Sequence, residues 1–205
     1  MNNYFFELKD GKGLAKIYSD GKLKFEGEYL NGKKNGIGKK YNEYIGGLIF
    51  EGEYLNGKRN GKGKEYWRDK LIFEGEYLYD YRLKGKYYIN GKLEYEGEYL
   101  YGKKYNGKGY DENGNIIYEL INGNGKVKEY NYYGKLEFEG EYLNGKRNGK
   151  GKEYWFGELR FEGEYLNGKR NGKGKEYYDG ELRFEGEYLN GKRIKKNIFN
   201  SCINF

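Results

Sequence analysis

The sequence predicts an all-β protein, an elongated antiparallel array of successive β-hairpins. Three observations carry this expectation. The hexapeptide core Phe/Tyr-Glu-Gly-Glu-Tyr-Leu starts at Phe25, Phe50, Phe73, Tyr95, Phe138, Phe161 and Phe184, at intervals of 22–25 residues with one gap of 43. A fixed period of this length marks a repeat architecture. Within each core, apolar or small residues alternate with charged ones, the period of a strand with two unlike faces. Between cores lie Asn-Gly and Asp-Gly steps, which are hairpin-turn signals.

The elements follow in order. The shortened copy Phe6-Glu7-Leu8-Lys9-Asp10-Gly11 precedes Phe25, and a decayed copy, Tyr118-Glu119-Leu120-Ile121-Asn122-Gly123, divides the long gap. About nine units then tile residues 4–193, starting near Phe6, Phe25, Phe50, Phe73, Tyr95, Tyr118, Phe138, Phe161 and Phe184. Residues 194–205 are left as a basic and apolar tail or cap.

In the unit at Phe161, the strand Leu159–Leu166 precedes a turn over Asn167-Gly168-Lys169-Arg170-Asn171-Gly172, and 173–178 returns as the second strand. Pairing Glu164 with Lys175 places Tyr165 opposite Gly174 and Phe161 opposite Tyr178. The same register sets Phe50 opposite Trp67 and Phe138 opposite Trp155. A glycine recurring inside a strand implies that a neighbouring ring lies flat on the backbone there. The run-in aliphatics Leu23, Leu48, Leu71, Leu93, Ile116, Leu136, Leu159 and Leu182 read as a ladder along the aromatic face. Some eighteen strands at ~4.8 Å would span about 80 Å, and such a sheet twists and keeps open edges.

Composition bounds the chemistry. A mean hydropathy of −1.15 with 35% charged residues resembles a disordered chain, but 20% aromatics at fixed positions argue for an ordered one with a thin core. With no histidine and Cys202 as the single cysteine, the chain cannot build a Cys/His zinc site, a Cys–His nucleophile or an internal disulfide. No cofactor or metal is expected. The start lacks a signal-peptide pattern and no segment is apolar enough to span a bilayer. The expectation is an intracellular, cytoplasmic protein, soluble or peripherally attached to a membrane.

Several motifs dissolve on inspection. Gly168-Lys169-Arg170-Asn171-Gly172-Lys173 lacks the spacing and the Ser/Thr of a phosphate loop. Asp111-Glu112-Asn113-Gly114-Asn115 lacks the glycine and the final glutamate of a calcium loop. Carboxylate pairs such as Glu162 and Glu164 recur in every full unit, which suits salt-bridge ladders better than one catalytic pair. Catalysis is therefore not expected, and catalytic residues are none. Acidic residues alternate with basic ones, so nucleic acid is a poor partner despite the net charge of +7.

The string Tyr/Phe-Glu-Gly-Glu-Tyr-x-Asn-Gly-Lys-Arg-Asn-Gly-Lys-Gly resembles the MORN repeat, and 177–186 resembles its MORN-2 variant. The resemblance implies an elongated, twisted single-layer sheet of hairpins with an aromatic-lined groove. It implies scaffolding or homodimerisation, with phospholipid binding and an antitoxin-like inhibitor as alternatives. The pattern is broken at 78–88, at 118–130 and in the first unit, where the sheet could bend or stop.

Two sets of residues are candidates for contact. Phe50, Tyr54, Trp67, Phe138, Tyr142, Trp155, Phe161 and Tyr165 would meet a protein partner or a second copy across the aromatic face. The turn cations Lys58, Arg59, Lys146, Arg147, Lys169 and Arg170 would form a basic stripe toward an anionic membrane. Cys202, fourth from the end, is a weak lipidation candidate because Asn204 fits the aliphatic slot badly.

Overall fold

A computed structural model describes residues 4–194, with side chains from Lys9 onward. The tail 195–205, with Cys202, lies outside the described residues.

Two open antiparallel meanders make up the fold, with no helix and no barrel among the described residues. The first sheet orders its strands consecutively: β1 (Tyr4–Lys9), β2 (Lys12–Ser19), β3 (Lys22–Leu30), β4 (Lys33–Tyr41), β5 (Leu48–Leu55), β6 (Lys58–Trp67), β7 (Lys70–Leu78), β8 (Tyr81–Ile89), β9 (Lys92–Leu100), β10 (Lys103–Tyr110) and β11 (Ile116–Leu120). The second contains β12 (Gly125–Tyr130), β13 (Leu136–Leu143), β14 (Lys146–Trp155), β15 (Glu158–Leu166), β16 (Lys169–Tyr178), β17 (Glu181–Leu189) and β18 (Lys192–Arg193). One unit of the chain ends at Ile121 and the next begins at Asn122.

The anticipated single sheet is thus two, divided at the decayed copy. There β11 has five residues and β12 six. Leu120 stands opposite Gly107, and Val127 opposite Gly140, so a branched side chain fills a position that is otherwise bare. At 78–88 no such break occurs, and β7, β8 and β9 pair in sequence.

Turn chemistry sets the register. In β15–β16, Leu166 pairs with Lys169, so the turn is only Asn167-Gly168, with φ of 52° and 87°. Two successive positive φ values define the tight turn whose twist matches its strands. The second Asn-Gly step is a bulge rather than a turn. Glu164 alone faces Asn171, Gly172 and Lys173, and its carboxylate accepts the Lys173 N–H at 3.2 Å. Glu28 and Glu53 accept the N–H groups of Ile37 and Lys62 in the same way, each at 3.0 Å.

These extra residues correct the expected register. Lys175 lies opposite Glu162 rather than Glu164, and Phe161 lies opposite Glu176. Phe50 and Phe138 face Glu65 and Glu153, not Trp67 and Trp155. The run-in ladder also moves. A one-residue bulge at Arg160 pairs Leu159 with Tyr154, whose hydroxyl donates to Glu139 on the charged face at 2.7 Å. Cross-strand partners share a face, so the aliphatic ladder lies on the charged side.

The corrected register aligns the glycines. Gly27, Gly38, Gly52, Gly63, Gly75, Gly85, Gly97 and Gly107 face one another in turn across β3–β10. Gly140, Gly151, Gly163, Gly174 and Gly186 repeat the row across β13–β17. A Cβ on Gly63 would come within 2.5 Å of Phe50 Cζ, and one on Gly52 within 2.5 Å of Gly63 Cα. The bare row lets each ring lie on the backbone. Phe25, Phe50, Phe73, Tyr95, Phe138 and Phe161 are at most 2% exposed and form the core. Tyr54 wedges edge-on between Phe25 and Phe50, with centroids 5.5 and 5.4 Å away. Each such contact contributes about 0.5–1.5 kcal/mol beyond area burial.

Candidate functional site

The aromatic face is closed by the chain's own cations. In each intact hairpin the second residue after the turn folds back over the rings. Arg147 and Arg170 lie 4.1 Å above Phe138 and Phe161, and Arg59 lies 5.3 Å from Phe50. A guanidinium over a ring contributes roughly 0.5–2 kcal/mol, the larger value when desolvated.

Glutamates on the same face stitch these cations together. Glu65 binds Arg59 at 2.6 Å and also Arg82; Glu153 binds Arg147 at 3.3 Å and also Arg170; Glu176 binds Arg170 at 3.1 Å and also Arg193. Burial alone would raise the Glu65 carboxyl, but the charge and hydrogen bond of Arg82, with Arg59, hold it below the usual carboxylate value. The tyrosine hydroxyls join the ladder. Tyr188 donates to Glu176 at 2.7 Å, and Tyr142 donates to Glu129.

This arrangement decides where each anticipated contact residue lies. Phe50, Phe138 and Phe161 are buried core, and Tyr54 and Tyr165 are 5% and 4% exposed. Tyr142 is half-buried. A ring with no exposed face cannot anchor a partner, so these residues build the scaffold. Trp67 and Trp155, at 47% and 61% exposure, remain at the surface. Trp155 meets the exposed Phe156 edge-on at 5.2 Å.

The basic stripe divides as well. Arg59, Arg147 and Arg170 belong to the aromatic layer, whereas Lys58, Lys146 and Lys169 are exposed. Each of these lysines pairs across its turn with an exposed leucine: Leu55, Leu143 or Leu166.

The opposite face is the open one. Two ladders of alternating charge run across the first sheet, one from Lys39 through Glu51, Lys64, Glu74 and Lys86 to Glu96. The other runs from Ile37 through Glu53, Lys62, Glu76 and Lys84 to Glu98. Between them no side chain rises from the glycine row, leaving a groove of about 800 Å³ lined by Gly52, Gly63, Gly75, Gly85 and Gly97, of which Gly63 is buried and the others half-buried.

Tyrosines at the far end of the strands brace the first ladder. Tyr41, Tyr66 and Tyr88 each donate to Glu26, Glu51 or Glu74 at 2.6 Å. Burial, then the adjacent carboxylates, pushes all three phenols up to about 12. Reading the strands without their bulges hid this groove. The recurring glycine was its one visible signal.

The family model of the MORN repeat matches residues 25–41, 50–71, 138–157 and 161–181. The chain is a MORN-repeat protein. Two of the matched stretches fall in each sheet of this MORN array, and each begins at a core phenylalanine lying on the glycine row. No curated protein matches the chain.

Proposed function

We propose that this MORN array is a non-catalytic scaffold that binds a protein through the groove on its charged face. The supporting observation is that groove: a glycine floor crossed by side chains of alternating sign, open while the aromatic face is closed. Main-chain groups in its floor are already paired in the sheet. An occupant is therefore held by wall charges and by contact with the half-buried glycine backbone, not by strand addition. Ladders of alternating sign also match a second copy of themselves, so self-association is the first case to test.

Light scattering separates a self-associating array from a monomeric one. Capture of partners by the wild-type array and by Lys62→Glu/Lys84→Glu tests the groove, with circular dichroism confirming that both are folded. Partners retained equally by both would refute this location.

The paired exposed Leu and Lys residues along the turn edge favour a second reading, a peripheral membrane tether. Apolar residues beside cations suit a headgroup interface. Sedimentation with anionic vesicles should then be salt-sensitive and should weaken on Lys58→Glu/Lys146→Glu. Equal sedimentation of that variant would remove this reading.

A further inference from the structure

One place on the aromatic face departs from the ladder. On β6, β14 and β16 the residue between two core phenylalanines is Glu65, Glu153 or Glu176, and its carboxylate binds a cation from each flanking hairpin. On β4 the equivalent residue, between Phe25 and Phe50, is Lys40. Its hairpin cation is Lys34, whose Nζ lies 4.3 Å from the Phe25 centroid and 5.7 Å from that of Tyr54. A negative charge has been exchanged for a positive one at the centre of an otherwise repeated motif.

The consequences are visible in the neighbouring groups. Neither Lys34 nor Lys40 has an acidic partner within ion-pair distance among the described residues. Lys24, the nearby bulge lysine, is matched by Glu43, and Arg59 by Glu65 and Asp80. The Tyr54 hydroxyl is buried, in a residue 5% exposed, and has no hydrogen-bond partner. At the same strand position the Tyr188 hydroxyl donates to Glu176, while those of Tyr77 and Tyr165, beside Glu65 and Glu153, also lack a partner, so it is the unmatched lysines that set this site apart. Burial, then the charge of Lys40, lowers the Lys34 ammonium against a smaller opposing pull from Asp80.

A second exception on the same sheet behaves differently. Tyr87 replaces the glutamate on β8, and the Tyr99 hydroxyl lacks a partner. There the flanking cations are satisfied, Arg82 by Glu65 and Lys104 by Glu94 at 2.5 Å. Only the site on β4 combines unmatched cations with an unmatched phenol among the described residues.

We propose that Lys34 and Lys40, on the aromatic layer that buries Tyr54, form a carboxylate-binding site that takes a Glu or Asp side chain from an acidic segment of a partner protein. The chain itself shows why a carboxylate fits: in this position Glu65, Glu153 and Glu176 each bind two cations of neighbouring hairpins. Lys40 is exposed and Lys34 half-buried, so the position is open to an outside group. The partner rests on the protein-binding reading above, but the site lies on the face opposite the groove.

The test is calorimetric titration of the full chain with an end-blocked hexaglutamate peptide. The wild-type array should bind it. Lys40→Glu should weaken binding by about tenfold or more, the loss of a charge-assisted hydrogen bond. The same variant should melt at a higher temperature, because the new carboxylate pairs with Lys34 and Arg59. Lys40→Met should weaken the peptide without raising the melting temperature, which keeps the test decisive if Lys40→Glu folds poorly. Lys58→Glu, an exposed turn cation, should change affinity by less than about twofold.

Equal weakening by Lys40→Glu and Lys58→Glu would reduce the effect to net charge and overturn the site. Binding of inorganic phosphate or anionic vesicles in place of hexaglutamate would overturn the carboxylate assignment. Lys62→Glu/Lys84→Glu should leave hexaglutamate binding intact, so failure of the groove and failure of this site are separable.

Discussion

Replacing Gly63 by alanine puts the glycine row to a direct test. The added Cβ would sit 2.5 Å from Phe50 Cζ, 2.7 Å from Cε2 and 3.2 Å from Tyr77 Cε2. Phe50 has little room to give way, being 2% exposed and held edge-on by Tyr54 at 5.4 Å and Tyr77 at 5.2 Å. Overpacking a tight site costs about 1–3 kcal/mol, and displacing the ring weakens two contacts of about 0.5–1.5 kcal/mol each. The expected destabilisation is about 2–4 kcal/mol. Gly57→Ala provides the comparison, because nothing lies within 4 Å of its added Cβ and only its φ of 87° resists. That change should cost roughly 1 kcal/mol. Urea titration followed by circular dichroism measures both, and Phe50→Leu closes a double-mutant cycle. With the ring gone, Gly63→Ala should cost at least about 1 kcal/mol less. A cost for Gly63→Ala no larger than for Gly57→Ala, or an additive cycle, would refute the ring-on-glycine account.

Phe156 occupies a turn position with φ of 52° where most other hairpins place Asn or Asp, with Arg68, Tyr79 and Tyr101 the further exceptions. Phe156→Asn should therefore stabilise the second unit by about 1 kcal/mol in the same titration, and a loss of stability would contradict the strain. Glu65 has a folded pKa below its unfolded value of about 4.3. Its contribution is thus present above that pH and is lost as pH falls through the folded value. Thermal melts between pH 6 and 3 should show a declining midpoint, with a shallower decline for Glu65→Gln; identical slopes would dismiss the ladder. The phenols of Tyr41, Tyr66, Tyr88 and Tyr154 are raised to about 12 from an unfolded value of about 10. Their stabilisation is complete below pH 10 and disappears as pH rises toward 12. Phenolate absorbance should lag behind that of free tyrosine over this range, and coincident curves would exclude the Tyr–Glu bonds.

Much of the fold was legible because the interactions are local. The Asn167-Gly168 turn, the alternation from Phe161 to Tyr165 and the ring over glycine all arise within one hairpin. Register was not legible from the same residues. Asn-Gly at 167–168 and at 171–172 look alike in sequence, yet the first turns the chain and the second forms a bulge. The difference lies in Glu164, which reaches across to the Lys173 N–H. The bulge at 171–173, spanned here by that bond, moves Lys175 from Glu164 to Glu162 and aligns the glycines. Among the expected contact residues, Trp67 and Trp155 lie at strand ends, where exposure survives folding. Phe50, Phe138 and Phe161 lie at strand centres, where the neighbouring hairpins cover them.

The sequence by itself determined that this chain is a repeated hairpin, which side of each strand carries rings, and that catalytic machinery of the Cys/His kind is absent. Period and turn chemistry are encoded residue by residue, so no long-range contact is needed to read them. Tertiary structure decided where the sheet divides, which cations fold onto rings and which face stays open. Those outcomes depend on bulges and on neighbours about 20 residues apart, so each residue's role is set by the strand that lands beside it. Lys40 is the clearest case: in sequence it is one lysine among many, and only between Phe25 and Phe50 does it become the place where a carboxylate is missing.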